Sequence, residues 1–359
     1  MQKSRPESAS RDSSLPPYDA SRHYAPKYNG HIEFVDMAKC LMLVAVVVSH
    51  SEANFMADCV DPFIIPLFWV CSGYTSRSDF SLRKRLSVIW AYFIMTAVCM
   101  TVCSIFPILC QYASLNATDV WGALYARDTL YAAPPSASNP VLLRMCNNPL
   151  WFLPSLFTTY CLFRVVMMTR LLLAQIFLCS VSLFIGTLLT LSPYLLPWSV
   201  DLAFVSVIFM CFGHWVRRYS LIEKMTASGV VACIVFYTCM WGYTGLINPS
   251  VRDYGAHWPS MILTGCVGSL ALLLLCRYAA RGWVGRLSVI IDKGALMIFG
   301  LDLLFVETSK QLCSGVVGDW KLRVLITIAM SFVGGWLVWK AWSLLTSGVR
   351  RLYTMAFTR

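Results

Sequence analysis

The stretch Phe34–Asn54, FVDMAKCLMLVAVVVSHSEAN, decides the fold. An unbroken apolar run, Cys40 to Val48, separates Lys39 from His50. Eleven residues make about three helical turns with a small angular remainder, so both side chains share one helix face, roughly 16 Å apart along the axis. Ionisable residues within an apolar helix face protein or water rather than lipid. The segment therefore reads as a helix carrying a polar track through a membrane protein, with Asp36 and Lys39 at one end and His50, Ser51 and Glu52 at the other. A plainer reading of the same residues has Lys39 snorkelling to one interface while His50 caps the opposite end.

Composition supports the membrane setting. The 359 residues are 58% hydrophobic, 14% aromatic and 13% charged, with a mean hydropathy of +0.63. A soluble domain carries roughly a quarter of its residues as charges. Apolar stretches of spanning length recur to the end of the chain. They predict an all-α polytopic membrane protein of about ten transmembrane helices, at 33–53, 60–75, 86–108, 149–168, 171–192, 200–216, 226–246, 259–276, 288–308 and 324–346. The second is short and interrupted by Pro62 and Pro66, so neighbouring helices must satisfy the backbone groups those prolines free.

The domain reading is a disordered cytoplasmic tail over 1–32, a transmembrane domain over 33–348 and a short cytoplasmic tail over 349–359. The first tail is polar, rich in Ser and Pro, and lacks the apolar stretch of a signal peptide. Ten crossings put both ends on one side. The loops of that side hold Arg77, Arg83, Lys84, Arg85, Arg217, Arg218, Lys224, Arg277, Arg281 and Arg286, against Arg127, Arg144, Arg252, Lys310 and Lys321 opposite. The bias places both termini in the cytoplasm of a multi-pass cell-membrane protein. It also accounts for the net charge of +11 without nucleic acid.

The fifteen cysteines are scattered, most of them inside apolar segments, with no CxxC pair of metal spacing; they read as small buried hydrophobes and no metal site is expected. Cys59, Cys110, Cys146 and Cys313 fall in or near outer loops, where pairing is the alternative. Asn116-Ala-Thr118, in the long loop 109–148, has the form of a glycosylation sequon, which matters only in a eukaryotic secretory route.

His50 is the candidate general acid–base, because its unperturbed pKa lies near neutrality. Ser51 is a poor nucleophile for it, since adjacent helical residues point in different directions. Two further blocks stand out. PLFWVCSGYT (Pro66–Thr75) is followed by the basic run RSDFSLRKR (Arg77–Arg85), which reads either as a topology signal or as a phosphate-binding rim. NNPLWFLPSLF (Asn147–Phe157) opens the fourth span with a Trp-Phe pair, by default an interfacial aromatic belt.

Taken in order and spacing, these blocks resemble the acyltransferase 3 family of integral-membrane O-acyltransferases. Asp36, Lys39 and His50 match its opening acidic residue, Arg or Lys, ten residues and His. Pro66, Phe68, Ser72, Gly73 and Tyr74 match its proline-led aromatic run ending in Ser-Gly-Phe/Tyr, and Phe80, Lys84 and Arg85 its Phe-x-x-x-Lys-Arg. Leu150–Leu153 matches its Leu-Trp-Phe-Leu, Gly213 the glycine ending a late helix, and Gly268 and Ser269 a Gly-Ser pair. The chain departs from the pattern in IDKGALMIFGLD, where Asp302 stands in the place of a terminal His and Asp292 in the place of a Gly.

The resemblance implies transfer of an acyl group, usually acetyl from acetyl-CoA, to a hydroxyl of a sugar in a cell-surface or lipid-linked glycan, with acyl-CoA as donor substrate and no bound cofactor. It implies His50 as general base, Lys39 as a further catalytic candidate, Arg83, Lys84 and Arg85 on the donor, and Tyr74 and Trp151 on the acceptor. Asp302, though a departure from the pattern, remains a catalytic candidate as an Asp inside an apolar span, which demands a partner or a cavity. The rival readings are a proton-coupled small-molecule transporter, using Lys39, His50, Asp302 and Glu307, and a catalytically lapsed membrane scaffold.

Overall fold

A computed structural model describes residues 27–28, 31–51, 54–76, 82–109, 116–131, 141–146 and 148–357. Helix α1 (Glu33–Ser49) carries the polar pair, and α2 (Asn54–Thr75) returns beside it. Then come α3 (Leu82–Ile105), the short α4 (Ala117–Tyr125), α5 (Phe152–Val166), α6 (Leu172–Leu189) and α7 (Val200–Arg218). The single turn α8 (Leu221–Lys224) leads to α9 (Ala227–Thr244) and α10 (Trp258–Ala279). A broken stretch follows, α11 (Trp283–Asp292), α12 (Ala295–Gly300) and α13 (Asp302–Cys313), before the 38-residue α14 (Trp320–Phe357). Two small antiparallel hairpins complete it: β1 (Lys27–Tyr28) with β2 (His31–Ile32), and β3 (Thr129–Tyr131) with β4 (Val141–Arg144).

Among the described residues, seven helical segments are long and apolar enough to cross a membrane: 86–105, 149–166, 172–189, 197–218, 227–244, 258–279 and 320–347. The other three expected spans correspond to α1, α2 and the α11–α13 stretch. The outward faces fit lipid: Leu173 is 81% exposed, Phe177 66% and Phe184 64% along α6, a contiguous apolar surface that water does not tolerate at this size. The protein is an all-α, multi-pass membrane protein.

The second span is longer than expected and is not broken. It is helical from Asn54 and runs through both prolines. Pro62 has no N–H for the carbonyl of Asp58 one turn earlier. The indole Nε1 of Trp241 on α9 donates to that oxygen at 2.9 Å, and the Tyr237 hydroxyl donates to the next carbonyl, Cys59, at 2.7 Å. A neighbouring helix thus supplies the donors the bilayer lacks.

α2 lies at the centre of the bundle, against α1, α7 and α10. Gly73 of α2 and Gly213 of α7 mark a close approach of these two helices. A Cβ on Gly73 would fall on the Met210 carbonyl, and one on Gly213 on the Val70 carbonyl. The two backbones therefore touch directly, as small residues permit in membranes.

The ninth expected span, 288–308, is the other difference. The helix is interrupted at Lys293–Gly294 and again at Leu301, giving three short helices in place of one. The first break carries Asp292 and the second Asp302, and both aspartates turn towards α1. α11 is fixed to α1 by Cys40 Sγ on the Ser288 carbonyl at 3.3 Å. α14 begins beside the far end of α1, with Val324 packed on Val48, and runs back past α12. It is about 57 Å long and stays helical beyond 348, to Phe357, through most of the expected tail. Residues 1–26, 29 and 30 of the expected first tail lie outside the described residues, and 27–28 and 31–32 pair as β1 and β2.

Cys59 and Cys313 are free thiols, whereas Cys110 lies outside the described residues. Asn116 caps α4, its side chain accepting from the Thr118 N–H at 2.9 Å.

Candidate active site

α1 separates two polar clusters, a Lys39 end and a His50 end. The first turn of α1 meets the last turn of α2 at the Lys39 end, where the rings of Phe34 and Tyr74 stand edge to face with centroids 5.7 Å apart.

At the His50 end a cavity of about 350 Å³ opens between α1, α2 and α12, closed by the segments around 128, 151 and 248–250. His50 terminates α1 and reaches this cavity. Its Nδ1 lies 2.5 Å from Oδ2 of Asp302, which is fully buried as the first residue of α13. A carboxylate there is stabilised by the helix N-terminus. In the neutral ring, a carboxylate at Nδ1 favours the tautomer with the proton on Nδ1 and the lone pair on Nε2. Oδ1 of Asp302 is buried without a hydrogen-bond partner among the described residues, so the carboxylate has one evident contact, the ring it orients.

The serines beside His50 are occupied. Ser49 Oγ donates to the Val46 carbonyl at 2.9 Å and Ser51 Oγ to Val48 at 2.7 Å. Neither hydroxyl has its proton directed at His50, in keeping with the helical argument against a Ser–His pair.

The lining mixes aliphatic, aromatic and polar side chains. Phe152 packs against Phe68 at 5.0 Å, Trp151 at 6.0 Å and Phe299 at 6.0 Å, and all four rings line the cavity. Asp61 of α2, Asp128, Asn248 and Ser250 supply the polar groups. Ser250 Oγ donates to Asp128 Oδ2 at 3.0 Å, and Thr129 Oγ1 to Oδ1 at 3.3 Å. Burial pushes the Asp128 carboxyl above its ordinary pKa; these two hydrogen bonds and the charges of His50 and Arg127 oppose the rise.

The polar wall is held from behind. Arg127, next to Asp128, points away from the cavity to Asp201 Oδ2 at 2.9 Å and Ser199 Oγ at 2.8 Å. Arg252, two residues after Ser250, places its Nε 3.4 Å from the same Asp201 oxygen. One buried carboxylate on α7 thereby ties down both loops that bring Asp128 and Ser250 together, a paired arrangement that burial of two guanidinium groups requires.

The residues expected from sequence divide between the two ends. His50, Asp302 and Trp151 come together at the cavity. Tyr74 does not; it is buried at the Lys39 end, where its carbonyl accepts from Arg217 Nη1 at 3.0 Å. Lys39 also stands away from the cavity, with Nζ 3.1 Å from Asp36 Oδ1 and 3.4 Å from Asp292 Oδ2. One ammonium shared by two carboxylates offers no surplus positive charge to an anion. Arg83, Lys84 and Arg85 belong to the first turn of α3, and their side chains lie outside the described residues.

Asp61, Asp128, Ser250 and Phe299 were not singled out from sequence. Asp61 could have been, as a carboxylate inside an apolar helix. Asp128 and Ser250 sit in loops with no periodic signal, more than a hundred residues apart.

The family model for an acyltransferase domain, acyltransferase 3, matches residues 32–346. No curated protein and no solved structure matches the chain. The matched range contains both polar clusters, the cavity and every helix that builds them, so the chain belongs to the acyltransferase 3 family of membrane acyltransferases.

Proposed function

We propose that the chain is an O-acetyltransferase of the cell membrane, moving an acetyl group from acetyl-CoA to a hydroxyl of a sugar in a cell-surface or lipid-linked glycan. The observation that carries this reading is the His50–Asp302 pair opening onto an aromatic-walled cavity. Imidazole held through Nδ1 by a buried carboxylate is a general base at Nε2. The acceptor hydroxyl gives its proton to Nε2 as its oxygen bonds to the thioester carbonyl carbon. The C–S bond then breaks, and the CoA thiolate recovers the proton from the imidazolium. Aromatic faces beside carboxylate, amide and hydroxyl groups suit a sugar ring, which is apolar across its C–H face and polar at its rim.

In this reading both termini are cytoplasmic and the Lys39 end faces the cytoplasm. The donor enters from that end. Because Lys39 is neutralised by Asp36 and Asp292, the phosphates of CoA fall to the basic run Arg83, Lys84 and Arg85. Lys39 instead secures α11 to α1 and so sets the height of the segment that carries Asp302.

The test uses detergent-purified protein with acetyl-CoA labelled in its acetyl group and a soluble glycoside. An acetyltransferase releases CoA and places label on the glycoside without any sealed compartment. A proton-coupled transporter consumes no acetyl-CoA in detergent and works only in sealed vesicles, and that outcome would reject the reading.

A further inference from the structure

The charge on the cavity wall narrows the acceptor, given the reading of this cavity as the acceptor site. Asp61 and Asp128 enter it from α2 and from the loop before β3, and His50 faces it in front of buried Asp302. No Lys or Arg lines it among the described residues. The nearest guanidinium in sequence, that of Arg127, is turned into the Asp201–Ser199 cluster behind the wall. Asp128 is held by Ser250 and Thr129, whereas Asp61 makes no hydrogen bond or ion pair among the described residues. It is half-buried at the cavity, with an open carboxylate facing the space.

Two carboxylates in a confined, weakly screened space repel a third anion and attract a cation. The lining also includes the rings of Phe68, Trp151 and Phe152 among aliphatic side chains, and aromatic faces add to the attraction for an ammonium group. We propose that the acceptor is an amino sugar, or an amino alcohol of similar size, bound as its ammonium form between Asp61, Asp128 and the aromatic wall. Acceptors bearing a carboxylate or phosphate near the reacting hydroxyl are excluded.

The arrangement also selects oxygen over nitrogen. An amine held as ammonium has its lone pair bound to a proton and cannot attack a thioester. The neighbouring hydroxyl, within reach of His50, is the nucleophile that remains. It loses its proton to Nε2, forms the O–C bond and displaces the CoA thiolate.

The experiment compares methyl β-glucosaminide, methyl β-glucoside and methyl β-glucuronide on the detergent-purified full chain. Binding is read from intrinsic tryptophan fluorescence and transfer from labelled acetyl-CoA. The glucosaminide is expected to bind about tenfold more tightly than the glucoside, and the glucuronide more weakly than either. Asp61→Asn should close most of the gap between the first two. Asp128→Asn, in which Ser250 still has an oxygen to donate to, should narrow it independently. Equal binding of the three, no binding, a glucuronide preference, or a preference that survives both substitutions together overturns the proposal. Selective glucosaminide binding without acetyl transfer supports the charge preference while removing the transferase reading, so the two fail separately.

Discussion

His50→Gln is expected to lower acetyl transfer by about two to four orders of magnitude, the range general base catalysis supplies, while the protein remains folded. Gln keeps a side chain of similar reach whose amide N–H groups can donate to Asp302, so the buried carboxylate retains a partner. What it removes is the basic lone pair facing the cavity. No neighbour restores it: Ser49 and Ser51 have committed their protons to Val46 and Val48. Asp61 and Asp128 stand on other walls and would have to approach the hydroxyl from the acceptor-binding side. Initial rates with labelled acetyl-CoA, normalised to the monodisperse fraction, check the loss. A variant that binds glycoside normally but transfers slowly places the loss in the chemical step.

The second large effect falls on folding. Gly73→Val should leave little folded protein, because its Cβ alone would coincide with the Met210 carbonyl of α7. Overpacked side chains usually cost about 1–3 kcal/mol. Here the obstacle is backbone, which cannot rotate away, so the cost lies at or above that range and α2 must move off α7. α2 also carries Asp61 and Phe68, so any protein that survives should lose glycoside binding as well. Gly242→Ala on α9 is the control, since nothing lies within 4 Å of its would-be Cβ. Thermal unfolding and monodispersity in detergent should separate the two, with the control at or slightly above the parent because Ala favours helix over Gly.

Much of the frame is legible in the sequence because helical periodicity is local. The eleven-residue step from Lys39 to His50 places both on one face, and the buried partners found for each lie on that face. The demand created by Pro62 could likewise be stated from one residue, although not that Trp241 answers it. What periodicity does not carry is the partner across the bundle. Asp292 and Asp302 are ten residues apart on a segment some 250 residues away, and their spacing nearly repeats that of Lys39 and His50. Read as a single span, that segment hid two breaks, and the breaks carry both aspartates. Asp302, which stands in the place of the family's terminal His, meets the ring of His50 across the bundle. Tyr74 and Trp151 look alike as aromatic members of motifs, yet α2 and α5 run so that one motif ends at the Lys39 end while the other starts at the cavity. The loop residues Asp128 and Ser250 are joined only through the buried Arg127–Asp201–Arg252 cluster, a tertiary feature without a sequence period.

A double-mutant cycle between His50 and Asp302 tests the central claim most directly. Transfer rates would be measured for the parent, His50→Gln, Asp302→Asn and the double variant, each purified and matched for folded fraction. If Asp302 acts on the reaction only by orienting His50, its removal matters only while His50 is present. Asp302→Asn alone should then slow transfer by about tenfold or more, and the double variant should be no slower than His50→Gln. Losses that multiply in the double variant, or a His50→Gln variant at the parent rate, would contradict the account.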